Sequence, residues 1–181
     1  MSRCKIGTAL VSVAVMLCSC TTVDISPSDA RATIASQLSV DPETIVLQKP
    51  ARFGVAAPGE RFVPFQLGVY AQTKTGIALF HYNAKTGSLI NVARYSVGDL
   101  DQVAIESWGL FNQWKEMQVF TGGRVIAIIF SKRSDAIAST IEETQPPFDA
   151  LVLAGVKSGS AIGRIDPEEI ASGILVPLPK H

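Results

Sequence analysis

Thr73-Lys74-Thr75-Gly76 and Asn83-Ala84-Lys85-Thr86-Gly87 bracket the run Ile77-Ala78-Leu79-Phe80-His81-Tyr82, and this stretch decides the fold class. Two turn-forming clusters, each ending in glycine, enclose six residues dominated by Ile, Leu, Phe and Tyr. That arrangement predicts one strand held between two hairpin connections. Upstream, Phe62 to Gln72 reads as a strand in which Pro64 and Gly68 mark an edge position or a bend. Downstream, Leu89 to Val97 alternates, placing Leu89, Asn91, Ala93, Tyr95 and Val97 on one face and Ile90, Val92 and Arg94 on the other.

The pattern continues past Gly98-Asp99-Leu100-Asp101 with a short strand, Val103 to Glu106, and a longer one, about Gln113 to Phe120. Thr121-Gly122-Gly123 then turns the chain into Arg124 to Ser131. Its segment Val125-Ile126-Ala127-Ile128-Ile129-Phe130 is apolar throughout, so it must be buried on both faces or covered by a helix. The expected class is mainly β (α+β), with about seven short strands.

Helices flank this block. Ser26 can cap, Pro27 suits the first helical position and Asp29 favours a helix N-terminus, with Ala30, Ile34 and Leu38 forming a stripe that ends near Val40. Ile45-Val46-Leu47 predicts a short strand, and Pro50, Gly54, Pro58 and Gly59 predict a loop from Gln48 to Glu60. At the other side, Ser134 is expected to cap a helix over about Asp135 to Glu143, with Ile137 and Ile141 on its apolar face and Pro146-Pro147 ending it. Beyond it come an apolar segment from Phe148 to Val156, a helical turn near Asp166-Pro167-Glu168-Glu169 and an extended Val176-Pro177-Leu178-Pro179.

Gly59-Glu60, the run from Tyr70 to Thr73 leading into Gly76-Ile77-Ala78-Leu79-Phe80, Asp99-Leu100 before Val103, and the helix from Ser134 together resemble bacterial pleckstrin-homology-like domains. The resemblance implies a bent β-barrel or two-sheet sandwich whose C-terminal amphipathic helix plugs one open end. Phosphoinositide binding by eukaryotic members uses several basic residues around the first hairpin. Here that region offers Lys74 and Arg61 without a cluster, so that role is not carried over.

Near the start, Arg3 and Lys5 precede an apolar run from Ile6 to Leu17, long enough for a signal peptide and too short to cross a bilayer. Leu17-Cys18-Ser19-Cys20 resembles the lipobox of bacterial lipoproteins. That resemblance implies signal-peptidase recognition through Leu17 and Ser19, removal of residues 1–19 and acylation of Cys20. Thr21, where an inner-membrane retention signal would carry aspartate, implies the outer membrane facing the periplasm of a Gram-negative cell. The expected organisation is a lipidated tether over 20–25, an N-terminal helix and loop over 26–58, the β-domain with its capping helix over 59–145, and a C-terminal tail over 146–181.

Removing residues 1–19 takes away two of the 16 basic side chains and none of the 16 acidic ones, leaving a balance of −2. No basic footprint for nucleic acid remains. The three cysteines are Cys4, Cys18 and Cys20, so the expected mature domain has neither a disulfide nor a thiolate nucleophile. Its histidines, His81 in a strand and His181 at the end, have no evident acidic partner, and a zinc site is not expected. Gly155-Val156-Lys157-Ser158-Gly159 fits neither a phosphate loop nor a serine elbow, and Glu142-Glu143 and Glu168-Glu169 read as surface pairs.

Trp108, Phe111 and Trp114 cluster around Gly109, between two strands. They are either an exposed platform for a partner or lipid, or core filling at a barrel mouth. The functional expectation is a membrane-anchored, non-catalytic interaction module with an envelope protein partner and no cofactor. The alternative is a binder or sensor of a small apolar ligand or lipid.

Overall fold

The computed structural model describes residues 21–168, so Leu17, Ser19, Cys20, His181 and the extended end lie outside the described residues. The chain opens with helix α1, Pro27–Leu38, capped as expected: the Ser26 hydroxyl accepts from the Asp29 N–H at 3.1 Å. Ser39, in the left-handed region, ends it. Strands β1 (Ile45–Ala56), β2 (Phe62–Pro64), β3 (Gln66–Thr73), β4 (Gly76–Asn83) and β5 (Ser88–Ser96) follow, then β6 (Gln102–Trp108), β7 (Trp114–Thr121) and β8 (Arg124–Ile129). Helix α2 (Ile141–Leu153) and the short β9 (Asp166–Glu168) complete the described chain.

Seven strands form one antiparallel sheet in the order β5-β4-β3-β1-β8-β7-β6, while β2 and β9 pair in parallel beside it. β5 and β6 are the sheet edges and do not pair with each other, so the expected barrel is not closed. The class is mainly β, with two helices.

One sheet face carries Phe53, Tyr70, Leu79, Met117, Ile126 and Ile128 against Leu151 of α2. On the other face, α1 covers Val69, Ala71, Ala78 and Phe80 with Ile34 and Leu38. The rest of that face, Ala56, Val125 and Ala127, lies under Val63 and Ile165. The apolar run of β8 is therefore buried on both faces, as its composition requires.

Four local expectations need correction. The loop assigned to Gln48–Glu60 is largely the long strand β1. Pro50 is tolerated there because pairing with β8 begins only at Arg52, leaving one side of the strand without a ladder at that point. Gly54 serves close packing rather than a turn: a Cβ there would lie 2.7 Å from Val63 Cγ2 and 2.9 Å from Phe65 Cδ2.

The strand from Leu89 does not keep one face. Leu79 opposes Ala93 while Phe80 opposes Asn91, so an extra residue is inserted opposite β4. Leu89 then joins the core under α1 and Tyr95 the core under α2. A one-residue bulge inverts the side-chain alternation beyond it.

The second helix starts later than Ser134 and runs through Pro146-Pro147. Thr140 begins it, its N–H donating to Glu143 Oε2 at 2.9 Å. Ser134 instead holds Thr21, and Ile137 and Ile141 stay exposed. Asp166–Glu168, expected as a helical turn, is strand β9.

Candidate functional site

The β6–β7 hairpin carries all three aromatic residues singled out by sequence. The strands pair from Gln102 opposite Phe120 to Trp108 opposite Trp114, and Leu110–Asn112 form the tip. Phe111 is 91% exposed, Leu110 70% and Trp114 41%. Trp108 is half-buried, with the Arg164 guanidinium 4.8 Å from its ring centroid. These residues form a projection and do not fill the core.

The backbone holds that projection at a cost. Phe111 and Asn112 both sit at positive φ, 57° and 55°. Asn tolerates this region; a bulky residue such as Phe does so only under strain. Gly109, at φ 83°, leaves room for the indole of Trp114, since a Cβ would lie 2.3 Å from Trp114 Cδ1.

The chain's described start lies at the same end of the sheet. β8 runs back toward the hairpin tip and finishes at Ile129. Just beyond, the Val23 N–H donates to the Lys132 carbonyl at 2.8 Å, the Ser134 N–H to the Thr21 carbonyl at 2.8 Å, and the Thr21 N–H to Ser134 Oγ at 3.0 Å. Farther along, Ser139 and Lys115 exchange two backbone hydrogen bonds, both 2.9 Å, at the root of the hairpin.

The opposite end holds an open groove of about 480 Å³. Phe120, Val125 and Ile162 supply its apolar wall, and Arg61, Arg124, Asp101 and Gln102 stand around its mouth. Its size lies within the range of small-molecule sites.

Between the two ends lies a buried carboxylate that the sequence reading missed. Glu116 is fully buried on β7, directly opposite Glu106 on β6. The segment leading into β9 covers both. The Ile165 N–H and Gln118 Nε2 donate to Glu116 Oε1 at 3.4 and 2.8 Å, the Gly163 N–H donates to Glu106 Oε2, and the Ile162 N–H to Gln118 Oε1. Glu116 Oε2 is buried without a partner. Burial pushes the Glu116 carboxyl up to about 7, with the neighbouring Glu106 adding to the rise and Gln118, Ile165 and Arg164 opposing it. The available signal was the alternation Glu116, Gln118, Phe120, which puts a charge on a face that β8 requires to be covered.

His81 is half-buried on β4; desolvation lowers its pKa, and a hydrogen bond with the Leu67 backbone opposes that. Its Nδ1 is buried without a partner. Glu142 is exposed and Glu143 half-buried near the start of α2. Lys157 and Gly159 bind β6 through backbone hydrogen bonds with Val103. Among the described residues, no group of three or more His, Cys, Asp or Glu is placed to hold a metal, and no helix is long and apolar enough to cross a membrane.

No family model matches this chain, and no curated protein matches it. Among solved structures, the hSac2 domain from human phosphoinositide phosphatase Sac2 is similar at a TM-score of 0.43 and 10% identity, over 86% of this chain and 98% of that one.

Proposed function

We propose that the protein is a cell-envelope lipoprotein: residues 1–19 are removed, Cys20 carries the acyl chains, and a non-catalytic β-domain makes contacts for the envelope at the membrane surface. The outer membrane, facing the periplasm, is its place on the Thr21 rule. The observation that carries this reading is the docking of Thr21 to Ser134, which fixes the residue next to Cys20 beside an end of the sheet bearing exposed Leu110, Phe111 and Trp114. Seven sheet strands followed by α2 support reading the domain as pleckstrin-homology-like.

Substituting Cys20→Ala tests the anchor. The variant is expected in the soluble fraction or as unprocessed precursor, without acyl label; a Cys20→Ala protein that keeps the label and mass of the parent overturns lipidation. For the interaction role, photo-cross-linking from positions around the groove mouth in intact cells should capture one reproducible protein. Repeated capture of none would defeat it.

A second reading rests on the groove. Its apolar wall and two arginines suit a small apolar molecule carrying an anionic group. A fluorescent fatty acid should bind and be displaced by its unlabelled form, and Val125→Trp should abolish binding. Equal retention of the probe by that variant sinks this reading.

A further inference from the structure

We propose that the Leu110–Asn112 tip of the β6–β7 hairpin inserts into the interface of the bilayer that holds the Cys20 anchor, so that this end of the sheet stands on the membrane. The inference rests on the lipoprotein reading above and adds what the exposed aromatics meet.

Position comes first. β6 and β7 turn at this end, β8 finishes at it, and Thr21–Val23 are tied to Lys132–Ser134 immediately after β8. Arg133, bridged to Thr22, and Ser139, bridged to Lys115, are six residues apart. A chain of that length spans at most about 22 Å. Thr22, and with it the described start of the chain, therefore lies within reach of the hairpin root at Lys115.

The chemistry of the tip fits lipid. Leu110 and Phe111 project from a narrow turn as a convex apolar point, with Trp114 partly exposed behind them. Ile137, on the segment joining the two bridges, is 56% exposed. A point of this shape finds few contacts on a rigid protein surface unless a matching pocket exists, whereas fluid acyl chains close around it. Tryptophan at the root suits the interface, where its ring meets apolar chains and its N–H stays near water. Lys132 is exposed beside the docked N-terminus and can face anionic headgroups. Phe111 is held at a strained φ with its large apolar side chain outside the core, where it is free to meet acyl chains.

One consequence follows for the rest of the molecule. The β7–β8 turn lies at the other end of the sheet, so the groove beside Gly123 and Arg124 faces away from the membrane.

The test uses the full mature protein, purified from membranes, its acylation verified by mass, and reconstituted in vesicles of phosphatidylethanolamine and phosphatidylglycerol. The sequence has two tryptophans, so Trp108→Phe leaves Trp114 as the reporter. Its emission is expected to shift to shorter wavelength, to be quenched by lipids brominated near the headgroup and to be protected from iodide. Leu110→Ser with Phe111→Ser should remove the quenching while the protein still sediments with the vesicles. If Cys20 is acylated and Trp114 remains open to iodide and untouched by bromolipid, the insertion fails and the anchor stands. If Cys20 carries no lipid, the anchor reading fails and takes this inference with it. A photo-cross-linker at position 111 in living cells should join to lipid; joining to a single protein would mean that a protein partner covers the tip instead.

Discussion

Lys49 Nζ donates a 2.6 Å hydrogen bond to the carbonyl oxygen of Glu143, the helical acceptor that Pro147 leaves empty. In α2, that carbonyl would normally receive the N–H four residues on, and proline has none. A lysine from β1 supplies the donor across 94 positions of sequence. Arg52, on the same strand, similarly donates to the Ala136 carbonyl. Burial lowers the pKa of both side chains, with Glu143 and Asp135 respectively opposing the change.

This pairing predicts a coupling. Lys49→Met should destabilise the fold by about 1–3 kcal/mol, the range for losing a charged donor and leaving a carbonyl unpaired. Pro147→Ala restores a backbone donor to Glu143, so Lys49→Met should cost less in that background. Urea unfolding of the four proteins in the cycle measures the difference. Additive effects would mean that Lys49 does not stand in for the missing N–H.

Glu116 makes stability depend on pH. Its carboxyl titrates near 7 when folded, against an ordinary value of 4.5, because burial disfavours the charge. Between those values the folded protein holds a proton that the unfolded chain has released. Stability therefore falls as pH rises through about 4.5 to 7, by up to about 3 kcal/mol, and levels off above. Glu116→Gln keeps an acceptor for the Ile165 N–H and should flatten this slope. Chemical unfolding at several pH values decides it, and an unchanged slope in the Gln variant would place the titration elsewhere.

The strand block was legible because turn chemistry is local: the clusters before Gly76 and ending at Gly87 announce their hairpins without reference to the rest of the chain. β1 was not, because Pro50 and Gly54 are loop signals by composition, and only the ladder start at Arg52 and the close approach of Val63 make them strand residues. Helix α2 was misplaced for a related reason. Two prolines end a helix unless something outside it satisfies the freed carbonyls, and Lys49 lies far away in sequence. The aromatic trio could be located at a strand junction but not assigned to core or surface, since that depends on how far the hairpin projects beyond β8. Glu116 was overlooked because the segment that buries it arrives some 46 residues later, at Ile162.

Gly54 should be intolerant of even one methyl group. Its Cβ would meet Val63, Phe65 and the Pro64 carbonyl, all within about 3 Å, so β2 must move away from β1. Gly54→Ala is expected to cost about 1–3 kcal/mol, as for overpacking in a filled core. The damage should be local before it is global. The Asp166 N–H, which donates to the Arg61 carbonyl at 2.7 Å, should exchange hydrogen markedly faster, while amides of β4 stay protected. Unchanged exchange at Asp166 would show that β2 absorbs the methyl without shifting.

Phe111 sets stability against contact. Its left-handed backbone is strained and its side chain, almost wholly exposed, contributes little packing in return. Asparagine adopts that region readily. Phe111→Asn is therefore expected to stabilise the soluble fold by about 1 kcal/mol, the lower end of the range for relieving such strain. The same change removes the most exposed apolar group of the tip, so the blue shift and bromolipid quenching of Trp114 should weaken in vesicles. Thermal unfolding and fluorescence on one preparation read both effects. A gain in stability together with a loss of lipid contact is the expected pair; a variant that is destabilised would show that Phe111 packs against its neighbours, and one that keeps full quenching would show that the tip's lipid contact does not depend on it.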